Sequence, residues 1–196
     1  ASIGAIQVMV SPNSAVQIIR YADRASDAGL LAGIDRVFFE SSNTQSFASE
    51  DARQAFRERW LGRYLVHDPE FAYVALARDQ TVAGYLVASL DDPARTARFS
   101  DIPHFAHFAN LTAIYPAHLH VNLGTPFRNR GVGGELIERF LADASGAGVP
   151  GVHVVTSRGA RNVAFYNRNG FREVGAFGSG EREVVFLARL LDRKTV

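Results

Sequence analysis

Arg128-Asn129-Arg130-Gly131-Val132-Gly133-Gly134 combines residue types suited to holding an anion. The run follows an apolar-rich strand pattern, His118-Leu119-His120-Val121-Asn122-Leu123, and opens a helical pattern from Gly131 to Ala144. A strand that turns through glycines into a helix presents backbone N–H groups with no intrahelical acceptor. The helix dipole adds partial positive charge there. Gly131, Gly133 and Gly134 carry no Cβ, so a bulky phosphate can approach the backbone. Arg128 and Arg130 bring two full charges to the same place. The ligand class narrows by exclusion. A P-loop needs Gly-Lys-Ser/Thr, and Gly133-Gly134-Glu135 does not supply it. A dinucleotide fingerprint starting at Gly131 would need glycine where Leu136 stands.

A second pattern lies downstream: Arg161-Asn162-Val163-Ala164-Phe165-Tyr166-Asn167-Arg168-Asn169-Gly170-Phe171. It reads as a short helix carrying Asn and Phe-Tyr, ended by Gly-Phe. A strand-like run, Val152 to Thr156, sits between the two patterns. The spacing Arg-x-x-Gly-x-Gly over 128–133 resembles the pyrophosphate-binding signature of the GCN5-related N-acetyltransferases, the GNAT family. The Asn162 to Phe171 segment resembles that family's second signature. The resemblance is clear over about residues 70–190 and holds in outline before that. Tyr115-Pro116-Ala117-His118-Leu119-His120 further resembles a narrower branch, which includes acetyltransferase-like domains related to O-GlcNAcases.

The resemblance implies a mixed α/β fold, with a central twisted mixed sheet of about six to seven strands and helices on both faces. It implies acetyl-CoA as co-substrate. Arg128, Asn129, Arg130, Gly131, Val132, Gly133 and Gly134 would hold the pyrophosphate. The pantetheine arm would lie along the strand at Leu123 and Gly124, with a bulge aiming a backbone N–H at the thioester carbonyl. Such a preset donor is worth roughly 3–4 kcal/mol in a transition state. Asn162 and Phe165 would line the arm. Tyr166 would protonate the departing thiolate, since a phenol of pKa near 10 keeps its proton at neutral pH.

The base is read from the strand. His118, His120 and Asn122 alternate and therefore share one face. The narrower branch commonly carries aspartate where this chain has Asn122, and an amide cannot take a proton. His120 can stand in, because imidazole ordinarily titrates near 6.5. A pair of hydrogen-bonded core histidines is the competing reading of His118 and His120. Alternating histidines also suit a metal, but no cysteine and no clear carboxylate partner supports one, so no metal is expected.

The elements that position these residues follow from periodicity. Val16 to Tyr21 reads as a strand, with Asp23 available to cap the next helix, whose apolar residues run from Leu30 to Phe38. Residues 40–48 form a polar loop before Ser49, an N-cap with Glu50 and Asp51 behind it. Ala52, Phe56, Trp60 and Tyr64 make one apolar stripe, which assigns Trp60 to the core. Phe71–Arg78 and Thr81–Leu90 read as a hairpin about Asp79-Gln80. Residues 91–116 are irregular and aromatic, either a loop packed on itself or a substrate wall or dimer surface. Strands at Phe171–Phe177 and Glu183–Leu190 close the pattern, giving one domain over 1–196.

Net charge of +1 gives no bulk attraction to nucleic acid or membrane. No apolar run is long enough to span a bilayer, and Ala1 to Val10 lacks the basic start of a signal peptide. The absence of cysteine excludes thiol catalysis and fits a cytoplasmic location. The expected activity is acetyl-CoA-dependent N-acetyl transfer to a primary amine of a small molecule or protein, by direct attack. The alternative is a coenzyme A-binding relative with weak or lost catalysis, suggested by Asn122 and by Gly159, where the family often has asparagine. An ordinary phosphate- or nucleotide-binding domain is a third reading, which the second signature opposes. Nothing in the sequence fixes the acceptor or a dimer surface, although family members often form homodimers.

Overall fold

The computed structural model describes residues 16–192; the segment Ala1–Val10 considered above lies outside them. Alternating and β-rich stretches form seven strands: β1 (Val16–Arg20), β2 (Ala72–Ala77), β3 (Val82–Ser89), β4 (Ala117–Leu123), β5 (Gly151–Ser157), β6 (Arg172–Phe177) and β7 (Val184–Leu190). They form one sheet in the order β1-β2-β3-β4-β5-β7-β6. Only β4 and β5 pair in parallel; every other neighbour is antiparallel. This is the mixed α/β architecture the sequence implied, with the strand number at the upper end of the expectation.

Helices cover both faces. One layer holds α1 (Ala28–Ser41), α2 (Glu50–Arg57) and α3 (Arg63–His67), the last two joined by a π-helical turn over Glu58–Gly62. Ile34, Val37, Phe38, Leu61 and Tyr64 bury against Val74, Leu76, Tyr85 and Val87 of the sheet. The other layer holds α6 (Val132–Gly146) and α7 (Asn162–Arg168). Leu136, Ile137, Phe140 and Tyr166 pack there with Leu86, Leu119, Val154 and Leu187. Alternation along β3 and β4 feeds both layers, so a seven-residue strand such as β4 divides its side chains between two cores.

Two local expectations change. Asp27, not Asp23, caps α1: its carboxylate accepts from the Leu30 N–H at 2.9 Å, while Asp23 lies in a 3-10 turn. Ser49 caps α2 as expected, its hydroxyl accepting from Ala52 N–H at 3.1 Å. Residues 91–116 are more ordered than their prolines suggested. They contain α4 (Pro103–His107) and α5 (Ala109–Thr112). Phe99, Phe105 and Phe108 from this segment are buried, so much of it packs on its own aromatics.

The register of β4 is fixed by β3, from Gly84↔Leu123 to Ser89↔His118 without a shift. Gly84 permits the closest approach, since a Cβ there would lie 2.3 Å from the Leu123 side chain and 2.8 Å from the Asn122 carbonyl oxygen. Gly84→Ala should therefore cost about 1–3 kcal/mol by overpacking. Urea unfolding will check this; an unchanged midpoint would show that the end of β4 tolerates displacement.

Candidate active site

β4 and β5 pair only at Ala117↔Val152 and His118↔His153. Beyond that point each keeps its outer neighbour, β3 or β7, but not the other. The sheet thus opens into a wedge whose inner edges carry backbone groups without a strand partner. Such an edge accepts an extended ligand as an added strand. No bulge interrupts β4 against β3, so the bulge expected near Leu123 and Gly124 is absent on that side. Gly124 is bonded back instead, its N–H donating to the Ala83 carbonyl at 2.9 Å. The parting of the strands, rather than a bulge, exposes the backbone here.

The wide end of the wedge leads into the glycine-rich turn. Thr125–Phe127 make a 3-10 turn, with Pro126 in its first turn. Asn129 (φ 59°) and Gly131 (φ 85°) then adopt left-handed conformations, which asparagine tolerates and glycine accepts freely. Gly131 caps α6 with no side-chain hydrogen bond, so the first turn at Val132, Gly133 and Gly134 keeps its donors for another acceptor. Asn129 and Arg130 are exposed. Arg128 turns inward instead: its Nε donates to the Leu123 carbonyl at 3.1 Å, which also accepts from Ser41 Oγ at 3.2 Å.

Gly133 meets a constraint that the sequence did not show. A Cβ there would lie 2.9 Å from the Phe165 ring and 3.3 Å from Leu123. The glycine lets α6, α7 and the end of β4 converge. Phe165 is thereby placed beside the glycine-rich turn. Asn162, at the start of α7, accepts from Thr156 Oγ1 at 2.9 Å and is exposed. Gly159 occupies a left-handed turn (φ 77°), which accounts for glycine at that place.

Tyr166 is buried, with its phenol close to the backbone of Val121 in β4. Burial holds its proton above the ordinary phenol range, with the Val121 N–H pulling weakly the other way. A phenol in this place stays protonated at any working pH and can act as an acid.

The opposite face of β4 is a histidine surface. Tyr64 Oη lies 3.2 Å from His118 Nδ1 and 3.2 Å from His120 Nε2. Trp60 packs edge-on to His120, with ring centroids 5.6 Å apart. Asn122 donates from Nδ2 to the Tyr85 hydroxyl at 2.8 Å. Trp60 thus lines the site, where its spacing had suggested only core. Tyr64, His104 and His153 join His118 and His120 around one narrow pocket or its wall. Tertiary folding brings them together; in sequence only the shared face of His118 and His120 and the apolar stripe containing Tyr64 were visible.

Burial weakens these rings as bases. His120 is pushed down to about 4, chiefly by desolvation, although it keeps an accessible edge. His118, fully enclosed, lies well below the usual range for the same first cause. His153 falls to about 3 and His104 to about 4. The expectation that His120 titrates near 6.5 is therefore corrected: it is a neutral imidazole throughout the physiological range. Among the described residues, no group of three or more His, Asp and Glu is arranged to hold a metal ion. No described helix is long and apolar enough to cross a membrane.

Farther along the same layer, Phe39, Thr44, Gln45, Phe47, Ser49, Glu50 and Arg53 line an open hollow of about 400 Å³. The Arg53 guanidinium lies 3.6 Å from the Phe39 ring centroid. This hollow lies beside the loop that joins α1 to α2.

A model of the Acetyltransferase (GNAT) family matches residues 35–171, and the chain belongs to that family. Among solved structures, SsHAT is similar at 21% identity and TM-score 0.68, over 90% of this chain and 98% of that one. The NatC complex bound to Gag peptide and CoA matches at 12% identity and TM-score 0.61, over 91% and 100%. Naa20 of Chaetomium thermophilum in complex with a bisubstrate analogue matches at 18% identity and TM-score 0.59, over 91% and 88%. At these identities the likeness is one of fold. Family membership supports acetyl transfer as the general activity.

The buried histidines predict how stability varies with pH. Each has a folded pKa below its unfolded value near 6.5, so between those values the unfolded chain binds more protons. Stability should fall as pH drops from 6.5 toward 4, before most carboxylates protonate. For His153, shifted to about 3, the full window is worth on the order of 4–5 kcal/mol. Urea midpoints at pH 7.5, 6 and 5 will show this decline. A flat profile would contradict the burial of neutral rings.

Proposed function

We propose that the chain transfers an acetyl group from acetyl-CoA to a primary amine of a small molecule or protein by direct attack on the thioester. The observation that carries this reading is the wedge between β4 and β5, with the Tyr166 phenol against Val121 and the uncapped start of α6 nearby. The first-turn N–H groups of Val132, Gly133 and Gly134, with Arg130, suit a pyrophosphate. The inner edge of β4 around Leu123 suits the amide-bearing arm. When bound, acetyl-CoA supplies an activated acyl group whose sulfur must leave protonated. Tyr166 holds a proton for that step. The β5-side N–H groups of β4 are the donors available for oxyanion stabilisation.

His120 serves as the base on the other face of β4. A neutral imidazole of low pKa is a poor base toward a free ammonium. It is well matched to the nitrogen of a tetrahedral adduct, which becomes much more acidic as the N–C bond forms. The acceptor therefore enters as the neutral amine, along the surface formed by Trp60, His120 and the hollow near Phe39. The NatC and Naa20 structures contain a peptide and a bisubstrate analogue, respectively, which supports a peptide amine among the acceptors to be tried. The Tyr115 to His120 run supports placing the chain near the O-GlcNAcase-related branch of the family.

A second reading is a coenzyme-binding protein with weak chemistry. Asn122 favours it: its amide is committed to Tyr85 and cannot accept a proton. Asn122→Asp should raise turnover if the missing carboxylate limits the rate, and no gain would count against this reading.

Calorimetric titration with acetyl-CoA, CoA and ATP tests the donor site. Both coenzymes should bind in the micromolar range, about −8 kcal/mol, in preference to ATP, and at least ~10-fold more weakly in Arg130→Glu. A folded protein that binds neither, or binds ATP equally, would overturn the proposal. Tyr166→Phe should leave acetyl-CoA binding intact while slowing CoA release in an amine panel by about 100-fold. An unchanged rate would remove Tyr166 from the acid role.

A further inference from the structure

The Tyr64 hydroxyl touches Nδ1 of one histidine and Nε2 of another, both at 3.2 Å. A phenol has one proton to donate, so it cannot donate to both rings. When Tyr64 donates to His118 Nδ1, His120 must donate from Nε2–H, which leaves His120 Nδ1 as a bare base. When Tyr64 donates to His120 Nε2, His118 donates from Nδ1–H, and the proton of His120 sits on Nδ1. The two ring tautomers therefore change together or not at all.

The far side of the chain of contacts is also informative. His118 Nε2 and His153 Nε2 are buried without hydrogen-bond partners. His153 Nδ1 lies 2.5 Å from the Tyr115 carbonyl, which can only accept, so Nδ1 carries the proton and Nε2 is a bare acceptor. The two rings stack at 25° with centroids 5.5 Å apart. Both line the pocket that His104 and His120 also line, and His104 is partly exposed. A core built only for packing would not leave two ring nitrogens unsatisfied, because each costs free energy. Arg63 and Asp101 pair beside Tyr64, and Arg98 pairs with Asp68, so the nearby charges are compensated and Tyr64 and the two histidines are neutral.

We propose that Tyr64 is a positioning residue that couples the tautomers of His120 and His118, so that His120 presents a bare Nδ1 to the acceptor nitrogen only while Tyr64 donates to His118. This rests on the reading of His120 as the base. The acceptor nitrogen gives its proton to His120 Nδ1, and the same proton leaves Nδ1 for solvent along the edge that His120 keeps accessible, which restores the neutral ring and leaves Tyr64 and His118 unchanged. A static hydrogen-bonded core would instead hold one fixed pair of tautomers.

The test uses the full chain with ¹⁵N-labelled histidine and long-range ¹H–¹⁵N spectra of the rings at pH 7.5. His153 should show the Nδ1–H form. Both nitrogens of His118 and His120 should show shifts averaged between tautomers. Tyr64→Phe should abolish the averaging at one ring or both. If that variant does not fold, His118→Asn should leave His120 in a single tautomer. Fixed tautomers in the wild type, or averaging that survives these substitutions, would overturn the inference. The same wild-type sample is then titrated with acetyl-CoA. Coupled tautomers without acetyl-CoA binding would leave the coupling standing and remove the acetyl-transfer reading. Binding with fixed tautomers would remove the coupling alone.

Discussion

The site depends on two parallel strands that pair for two residues and then separate. This is stable because neither strand is an edge strand on its other side. β4 is held by β3 over six residue pairs, and β5 by β7 over seven. Separation therefore forfeits only the hydrogen bonds between β4 and β5 themselves. The helices then brace the opening. Phe165 and Leu123 leave no room for a side chain at Gly133, which brings α6 and α7 close to the end of β4. Tyr166 comes from α7 and places its phenol against Val121. A larger residue at position 133 would push these elements apart and change the width of the wedge.

The parted strand also separates two chemistries. Because side chains alternate, Leu119 and Val121 join the α6–α7 core, while His118, His120 and Asn122 face the α2–α3 layer. The backbone between them is shared. The acid proposed at Tyr166 and the base proposed at His120 therefore lie on opposite sides of β4, where they do not neutralise each other. The π-helical turn at Glu58–Gly62 matters for the second side, since it carries Trp60 to His120 just before Tyr64 reaches both histidines. Such turns often mark functional positions, and here the turn presents two aromatic side chains to one strand face.

Much of this was legible in the sequence, because it is local. Strand, glycine-rich turn and helix over 118–144 follow from residue periodicity and the conformational freedom of Gly131. The short helix with Tyr166 was readable from its own segment. The hairpin at Asp79-Gln80 and the cap at Ser49 were readable for the same reason. What failed was tertiary. Asp27 displaced Asp23 as the cap because a 3-10 turn intervenes. Gly133 proved to answer to Phe165, 32 positions away. Tyr64 looked like one more residue of an apolar stripe, and its hydroxyl had no visible partner until β4 was placed beneath it. The pKa of His120 was misjudged for the same reason: burial by Trp60 and Tyr64 cannot be read from a strand alone.

Hydrogen–deuterium exchange with and without acetyl-CoA tests the central claim directly. The Gly124 N–H bonds Ala83 on the β3 side, so by alternation the N–H groups of Leu123, Val121 and Leu119 point the other way, into the wedge. The amides of Leu119, Val121 and Leu123 and of Val132 to Gly134 should exchange more slowly when acetyl-CoA is present, with little change in β1 or β2. Protection confined to another surface, such as the hollow near Phe39 and Arg53, would contradict the account and show that the parted strands do not form the donor site.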